Sequence, residues 1–280
     1  GNQESLQSLR PFFRRWLNFG YPGITGDVVA MLDGWRLTGR ERGLAIKSLN
    51  PTKGPLSDFE YTSFNEQLIF SYEMGETSLY DLCACMIIGN TGRRPIQLTH
   101  LKCGDLISVP ARDGVTNYFL HIPRAKQEGG AFRDEFKTYH LTLEMWQLLE
   151  SHKQKVLRDV SALGYDLSED QQRQLPLFPA PRNWLKPSTK ASFITALPGE
   201  SLHISTAVFT HILKRTVGSL GIISERTDDL LNVFARRFRY SLGTRAAREG
   251  VSKYVIAELL DHSDTQHADV YTLNVPEHLK

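Results

Sequence analysis

The segment from Asn50 to Glu60 constrains this chain more than any other. NPTKGP, from Asn50 to Pro55, concentrates helix and strand breakers. Directly after it, Ser57 and Glu60 stand three apart ahead of an apolar-periodic run. That spacing is a capping box, in which the Ser57 hydroxyl accepts from the Glu60 amide and the Glu60 carboxylate reaches back. A new helix starts there, and the expected division is a first domain over 1–54 and a second over 55–280.

Before the breakers, Leu6, Leu9, Phe12, Phe13, Trp16 and Leu17 follow helical spacing, and Tyr21-Pro22-Gly23 ends that helix. Further helices are expected from near Asp27 to Trp35 and from Glu41 to Ser48. After the capping box, helix is expected from about Thr77 to Gly89. The pattern then switches. Asp105 to Val109, Tyr118 to Pro123 and Lys137 to Leu143 are short β-prone segments between turn-rich links. Glu144 to Leu163 returns to helix, 171–200 reads as a long Pro-rich connection, and Ser205 to Leu220 is helical again. Three short helices close the chain from about Asp229, with breaks near Gly250 and His262. The expected class is mainly α with a small antiparallel β-sheet, an α+β domain.

Composition narrows the function classes only slightly. Apolar content of 41% and charged content of 23% are those of a globular chain with a real core. No apolar stretch approaches the roughly 20 residues that cross a bilayer, and GNQESLQSLR lacks a signal-peptide layout. Three cysteines offer no disulfide framework, so a cytoplasmic setting is expected. Cys83-x-Cys85 and Cys103 lack paired zinc spacing, and Cys83 falls on an apolar helical face, so no metal is expected. Net charge is only +2, yet Arg236, Arg237, Arg239, Arg245, Arg248 and Lys253 face a single acid, Glu249, in their stretch. Charge alone does not separate a solvated basic face from a nucleic-acid surface.

Three segments carry candidate chemistry. In TGRRPIQLTHLKCGDL a helix ends at Thr91-Gly92, and Arg94 follows in the next turn, where a guanidinium fork can meet phosphate oxygens. In HIPRAKQEGGAFRDEF, Lys126 sits at the tip of an expected hairpin, where a solubilising role is the commoner one. In the segment from Arg236 to Tyr271, Phe234, Phe238 and Leu242 form an apolar stripe that leaves Arg236 and Arg239 off it. His262 closes a helix, and Tyr271 follows nine residues later.

In this order and at these separations the segments resemble the catalytic domain of tyrosine recombinases, the phage integrase family, from about Pro55 to Tyr271. The family's TGxR arginine is matched by Arg94, its hairpin lysine by Lys126 and its second arginine by Arg239. Its LGH-type motif is matched by Leu260-Asp261-His262 and its nucleophile by Tyr271. The region before Pro55 is similar to the end of the family's helical core-binding domain, whose beginning is expected to be absent from this chain. Two positions depart from the pattern. Arg236 stands where the family has histidine, and Gln97 stands where it has an acid. A guanidinium still donates to phosphate but cannot accept a proton.

The resemblance implies a site-specific recombinase that cleaves and rejoins double-stranded DNA through a 3′-phosphotyrosyl bond, without cofactor or metal. It also implies self-assembly into a tetramer on DNA. Arg94 and Arg239, with Arg236 and His262, would stabilise charge on the nonbridging oxygens, and Lys126 would protonate the departing 5′ oxygen. Two alternatives stand beside it. One is a DNA-binding relative that has lost cleavage; the other is type IB topoisomerase-like relaxation of DNA.

Overall fold

The computed structural model of the chain describes residues 2–35, 43–112, 114–124, 133–180, 189–262 and 264–272, and the side chains of 2–8 lie outside that description. Two compact units are present, Gly1–Leu44 and Ala45–Lys280. In the first, α1 (Asn2–Asn18) and α2 (Gly26–Gly34) are joined through the expected break, where Gly23 adopts a φ of 98°. Trp16 packs the end of α1 against the turn that follows it. Its ring lies 5.4 Å from those of Phe12 and Tyr21, and its indole N–H donates to the Pro22 carbonyl at 3.1 Å. Arg14 and Asp33 bridge the helices at 2.7 Å.

The breaker-rich stretch does not separate the units, because the division comes earlier, after Leu44. The short helix α3 (Leu44–Lys47) buries Ile46 beside Ala246, Ile256 and Leu260 of the second unit. Arg237 donates to the Pro51 and Gly54 carbonyls, and Arg226 to those of Leu49 and Pro55. Non-local guanidinium bonds thus hold residues 49–55 to the large unit.

The capping box at Ser57 is formed. The Ser57 hydroxyl accepts from the Glu60 amide at 3.1 Å and the Glu60 carboxylate accepts from the Ser57 amide at 3.0 Å, starting α4 (Asp58–Glu73). Glu60 does more than cap. Its carboxylate is fully buried and also accepts from Arg226 at 2.5 Å, Arg237 at 3.3 Å and Ser224 at 2.5 Å. Burial pushes its pKa up, but the bonds from Arg226, Ser224 and the Ser57 amide outweigh that and leave it lowered.

The centre of the large unit is α5 (Leu79–Thr91), capped by Ser78. Leu82, Cys83, Ala84, Cys85, Ile87 and Ile88 are all buried, so the helix is apolar nearly all round, as a core helix should be. After α6 (Pro95–Thr99) come β1 (Leu106–Pro110), β2 (Thr116–Pro123) and β3 (Phe136–Leu141), antiparallel in the order β1-β2-β3. Leu106 pairs with Leu120 and Phe119 with His140. Alternation along β2 sends Leu120 and Ile122 into the core. The sheet is followed by α7 (Leu143–Ser161).

The stretch expected to be one Pro-rich connection holds two short helices, α8 (Glu169–Gln174) and α9 (Lys190–Ala196). Both start with capping boxes, at Ser168/Gln171 and Thr189/Ser192. α8 buries no residue, so it lacks the apolar periodicity that would reveal it. The chain continues through α10 (Thr206–Ser219), α11 (Ala235–Arg248), α12 (Lys253–Leu259) and α13 (Asp269–Thr272). The expected class, mainly α with a small antiparallel sheet, is the one found. No described helix is long and apolar enough to cross a membrane.

Candidate active site

Gly92 ends α5 in the left-handed conformation, with φ of 56°. A Cβ there would lie 3.0 Å from Leu242 and 3.3 Å from the Cα of Arg239, so glycine lets the end of α5 rest on α11. Arg94 then becomes the N-cap of α6, with Pro95 at the first helical position. Its backbone N–H donates to Gln97 Oε1 at 3.2 Å and its Nη1 to the Asp261 carbonyl at 3.2 Å.

The basic stretch of α11 is sorted by depth. Arg237 is fully buried, satisfied by Glu60 and by the carbonyls of Pro51, Gly54 and Asn232. Arg239 is 8% exposed, although the sequence stripe places it off the apolar face; the stripe's own Phe234 is exposed instead. Arg239 Nη1 donates to the Gly92 carbonyl at 3.1 Å, while Nη2 is buried with no partner. Burial, reinforced by Arg94, pulls its pKa down to about 10, so the guanidinium stays charged near neutrality. Arg236 is exposed, and no hydrogen bond or ion pair among the described residues ties it to this cluster.

His262 follows α12. Its ring stacks on that of Tyr271, with centroids 6.4 Å apart and planes 18° apart, and its Nδ1 is buried without a partner. Burial, then Arg239 and Arg94, lowers its pKa to about 3, which keeps the imidazole neutral. Tyr271, on α13, is 2% exposed among Ile46, Ala246, Ala247 and Leu260, with its ring against Gly243. Burial raises its pKa; Arg239 and Arg94 pull it back. Lys126 lies outside the described residues.

Arg94 at the start of α6, Arg239 on α11, His262 just past α12 and Tyr271 on α13 are therefore brought together. Sequence reasoning gave no role to four residues around them. Arg93 is buried, with Nε and Nη1 unpartnered. Arg124, one residue past β2, donates its Nε to Asp261 Oδ1 at 2.9 Å. Asp261 also accepts from Gln97 Nε2 at 2.9 Å, so the buried acid faces position 97 rather than occupying it. Gly243 leaves the space the Tyr271 ring fills. Only Asp261 had a local signal, an aspartate just past a helix end. Arg93 and Arg239, whose charges oppose one another, each keep orphaned donors in a desolvated place, where an unmade hydrogen bond is costly. An oxyanion would satisfy them. Among the described residues no group of three or more His, Cys, Asp or Glu side chains could hold a metal ion.

No family model matches the chain, and no curated protein matches it. Solved structures do. A lambda integrase dimer bound to a COC' core site aligns over 96% of this chain and 58% of that chain, with 13% identity and a TM-score of 0.51. XerA recombinase aligns over 90% and 69%, with 16% identity and a TM-score of 0.50. The Tn1549 transposon integrase, in complex with circular intermediate DNA, aligns over 98% and 83%, with 14% identity and a TM-score of 0.50. The chain spans about half the length (52%) of a matched XerH recombinase, at 17% identity and a TM-score of 0.50. The chain has the fold of the tyrosine recombinases and integrases.

Proposed function

We propose that this chain is a site-specific DNA recombinase or integrase, in which Tyr271 attacks the scissile phosphorus. A bond forms between its phenolic oxygen and the 3′ phosphate, and the bond to the 5′ oxygen breaks. The phenol's proton passes to solvent water, and Lys126 gives a proton to the 5′ oxygen. The phosphotyrosyl bond keeps the energy for rejoining. Arg94 and Arg239 bind the nonbridging oxygens, whose charge grows in the five-coordinate transition state. Neutral His262 adds an N–H donor, and Arg236, on the exposed face of α11, contacts the DNA backbone. Residues 1–54 act as the end of a core-binding domain. Double-stranded DNA is the partner, with assembly as a tetramer on paired sites.

One observation carries this reading: Arg239, buried with its Nη2 unpartnered, lies beside Tyr271 and together with Arg94 offsets part of the rise in pKa that burial imposes on the phenol. Fixed cations that favour phenolate suit a tyrosine nucleophile, which is otherwise weak near its free pKa of about 10. Burial of Tyr271 favours the main rival, a DNA-binding relative without cleavage. A nicked suicide duplex separates the two. Covalent adduct from wild-type protein, absent from Tyr271→Phe at equal DNA occupancy, is the expected result. DNA binding without adduct would instead establish the rival.

A further inference from the structure

We infer that Asp261 is a positioning residue, a buried carboxylate that holds the arginines of the site in place. The inference rests on the proposed function for its catalytic consequence, though not for the geometry.

Asp261 is the first residue past the cap of α12. Its N–H donates to the Glu258 carbonyl at 3.1 Å and that of His262 to the Ala257 carbonyl at 2.8 Å, the Schellman closure of a helix. Its φ is 51°, the left-handed conformation that favours glycine. The residue is also 5% exposed, so an anionic side chain is desolvated at a strained backbone position. Backbone strain and buried charge together mark a residue kept for what its side chain does.

The side chain ties three segments together. Oδ1 accepts from Arg124 Nε beyond β2, and Oδ2 accepts from Gln97 Nε2 on α6, both at 2.9 Å. The backbone carbonyl accepts from Arg94 Nη1. Gln97 extends the chain, donating to the Pro123 carbonyl at 3.0 Å and accepting from the Arg94 amide. Asp261 is also an opposite charge felt by Arg93, Arg239 and His262. The other carboxylates here, Glu135 on Arg124 and Glu258 near Arg93, are exposed. Before an anion arrives, Asp261 is therefore the buried counterion that lets mutually repelling guanidiniums stay close. Position 97 carries no charge, so the carboxylate sits on one side of the Gln97–Asp261 bond and could be moved to the other.

The variants Asp261→Gly, Asp261→Asn and the double variant Gln97→Glu/Asp261→Gly test this. Glycine relieves the backbone and removes the charge; asparagine keeps the shape should glycine loosen the fold. Removing a negative charge beside bound phosphates does not weaken duplex binding, whereas misplaced arginines slow adduct formation by about 10- to 100-fold. The double variant, with its carboxylate across the same hydrogen bond, recovers most of that rate. A wild-type adduct rate in both single variants, parallel loss of binding and rate, or a double variant no faster than Asp261→Gly would overturn the inference. If wild-type protein forms no adduct, the proposed function has failed, and the NMR signal of the Arg124 Nε–H decides the geometry. Slow exchange lost in Asp261→Gly supports the positioning role, and unchanged exchange refutes it.

Discussion

Gly243→Ala asks how closely the Tyr271 ring must be held. A Cβ at 243 would lie 2.7 Å from Cε1, 2.8 Å from Cδ1 and 2.9 Å from Cζ of that ring. Carbon atoms rest about 3.5–4.0 Å apart, so the ring has to withdraw by roughly 1 Å. It has little space to do so, being almost fully buried and stacked on His262. Overpacking of this kind costs about 1–3 kcal/mol, and the gain from replacing a mid-helix glycine, about 0.5–1 kcal/mol, offsets part of it. The net loss of stability is therefore modest, roughly 0–2.5 kcal/mol. The effect on chemistry is larger, because a misplacement of about 1 Å in a reacting group costs roughly 100-fold in rate. Single-turnover adduct formation on a nicked suicide duplex reads the rate, anisotropy reads DNA binding, and thermal melting reads the fold. Gly89→Ala is the comparison, since its Cβ on α5 would crowd Phe64 of α4 at 2.8 Å; it should lower the melting temperature with no selective loss of adduct. A Gly243→Ala protein with wild-type adduct rate and melting temperature would refute the reasoning.

Two further predictions concern the scaffold. Glu60→Ala leaves Arg237 and Arg226 without their buried carboxylate, and breaking one side of a buried pair costs about 3–5 kcal/mol. Denaturant titration should show that loss, with Glu60→Gln losing less; an Ala variant within 1 kcal/mol of wild type, taken as about the value of an ordinary exposed pair, would exclude a structural role for the network. His152 and His203 are buried and neutral, with pKa values lowered by burial to about 4 against the bonding to the Leu177 and Thr99 carbonyls. The unfolded chain takes up their protons first, so stability falls as pH drops from about 6.5 to 4, by up to roughly 1.4 kcal/mol per pH unit for each histidine. Denaturant midpoints across that range should fall accordingly, less steeply in His152→Asn, whereas a flat profile would contradict the neutral assignment.

Local grammar carried much of this chain. The Ser57–Glu60 box, the break at Tyr21-Pro22-Gly23 and the alternating strands depend on neighbours within a few residues, so they can be read in order. The same holds for Gly92, which ends a helix just before Arg94. Helix α8 escaped because a short polar helix that buries nothing leaves no periodic mark. Tertiary packing decided the rest. Arg236, Arg237 and Arg239 are the same residue type within four positions, yet one is exposed, one is locked to Glu60, and one reaches Gly92 with a free buried donor. Their depths depend on which elements cover α11, a matter of contacts between residues more than a hundred positions apart. The Asp261 carboxylate follows the same logic, since its partners Gln97 and Arg124 lie on elements far away in the chain. By itself the sequence determined the order of the longer helices and of the three strands, and which residue types could do phosphoryl chemistry. Only the tertiary structure decided which of the many arginines share one buried carboxylate, because burial and charge pairing arise when distant segments pack and exclude water.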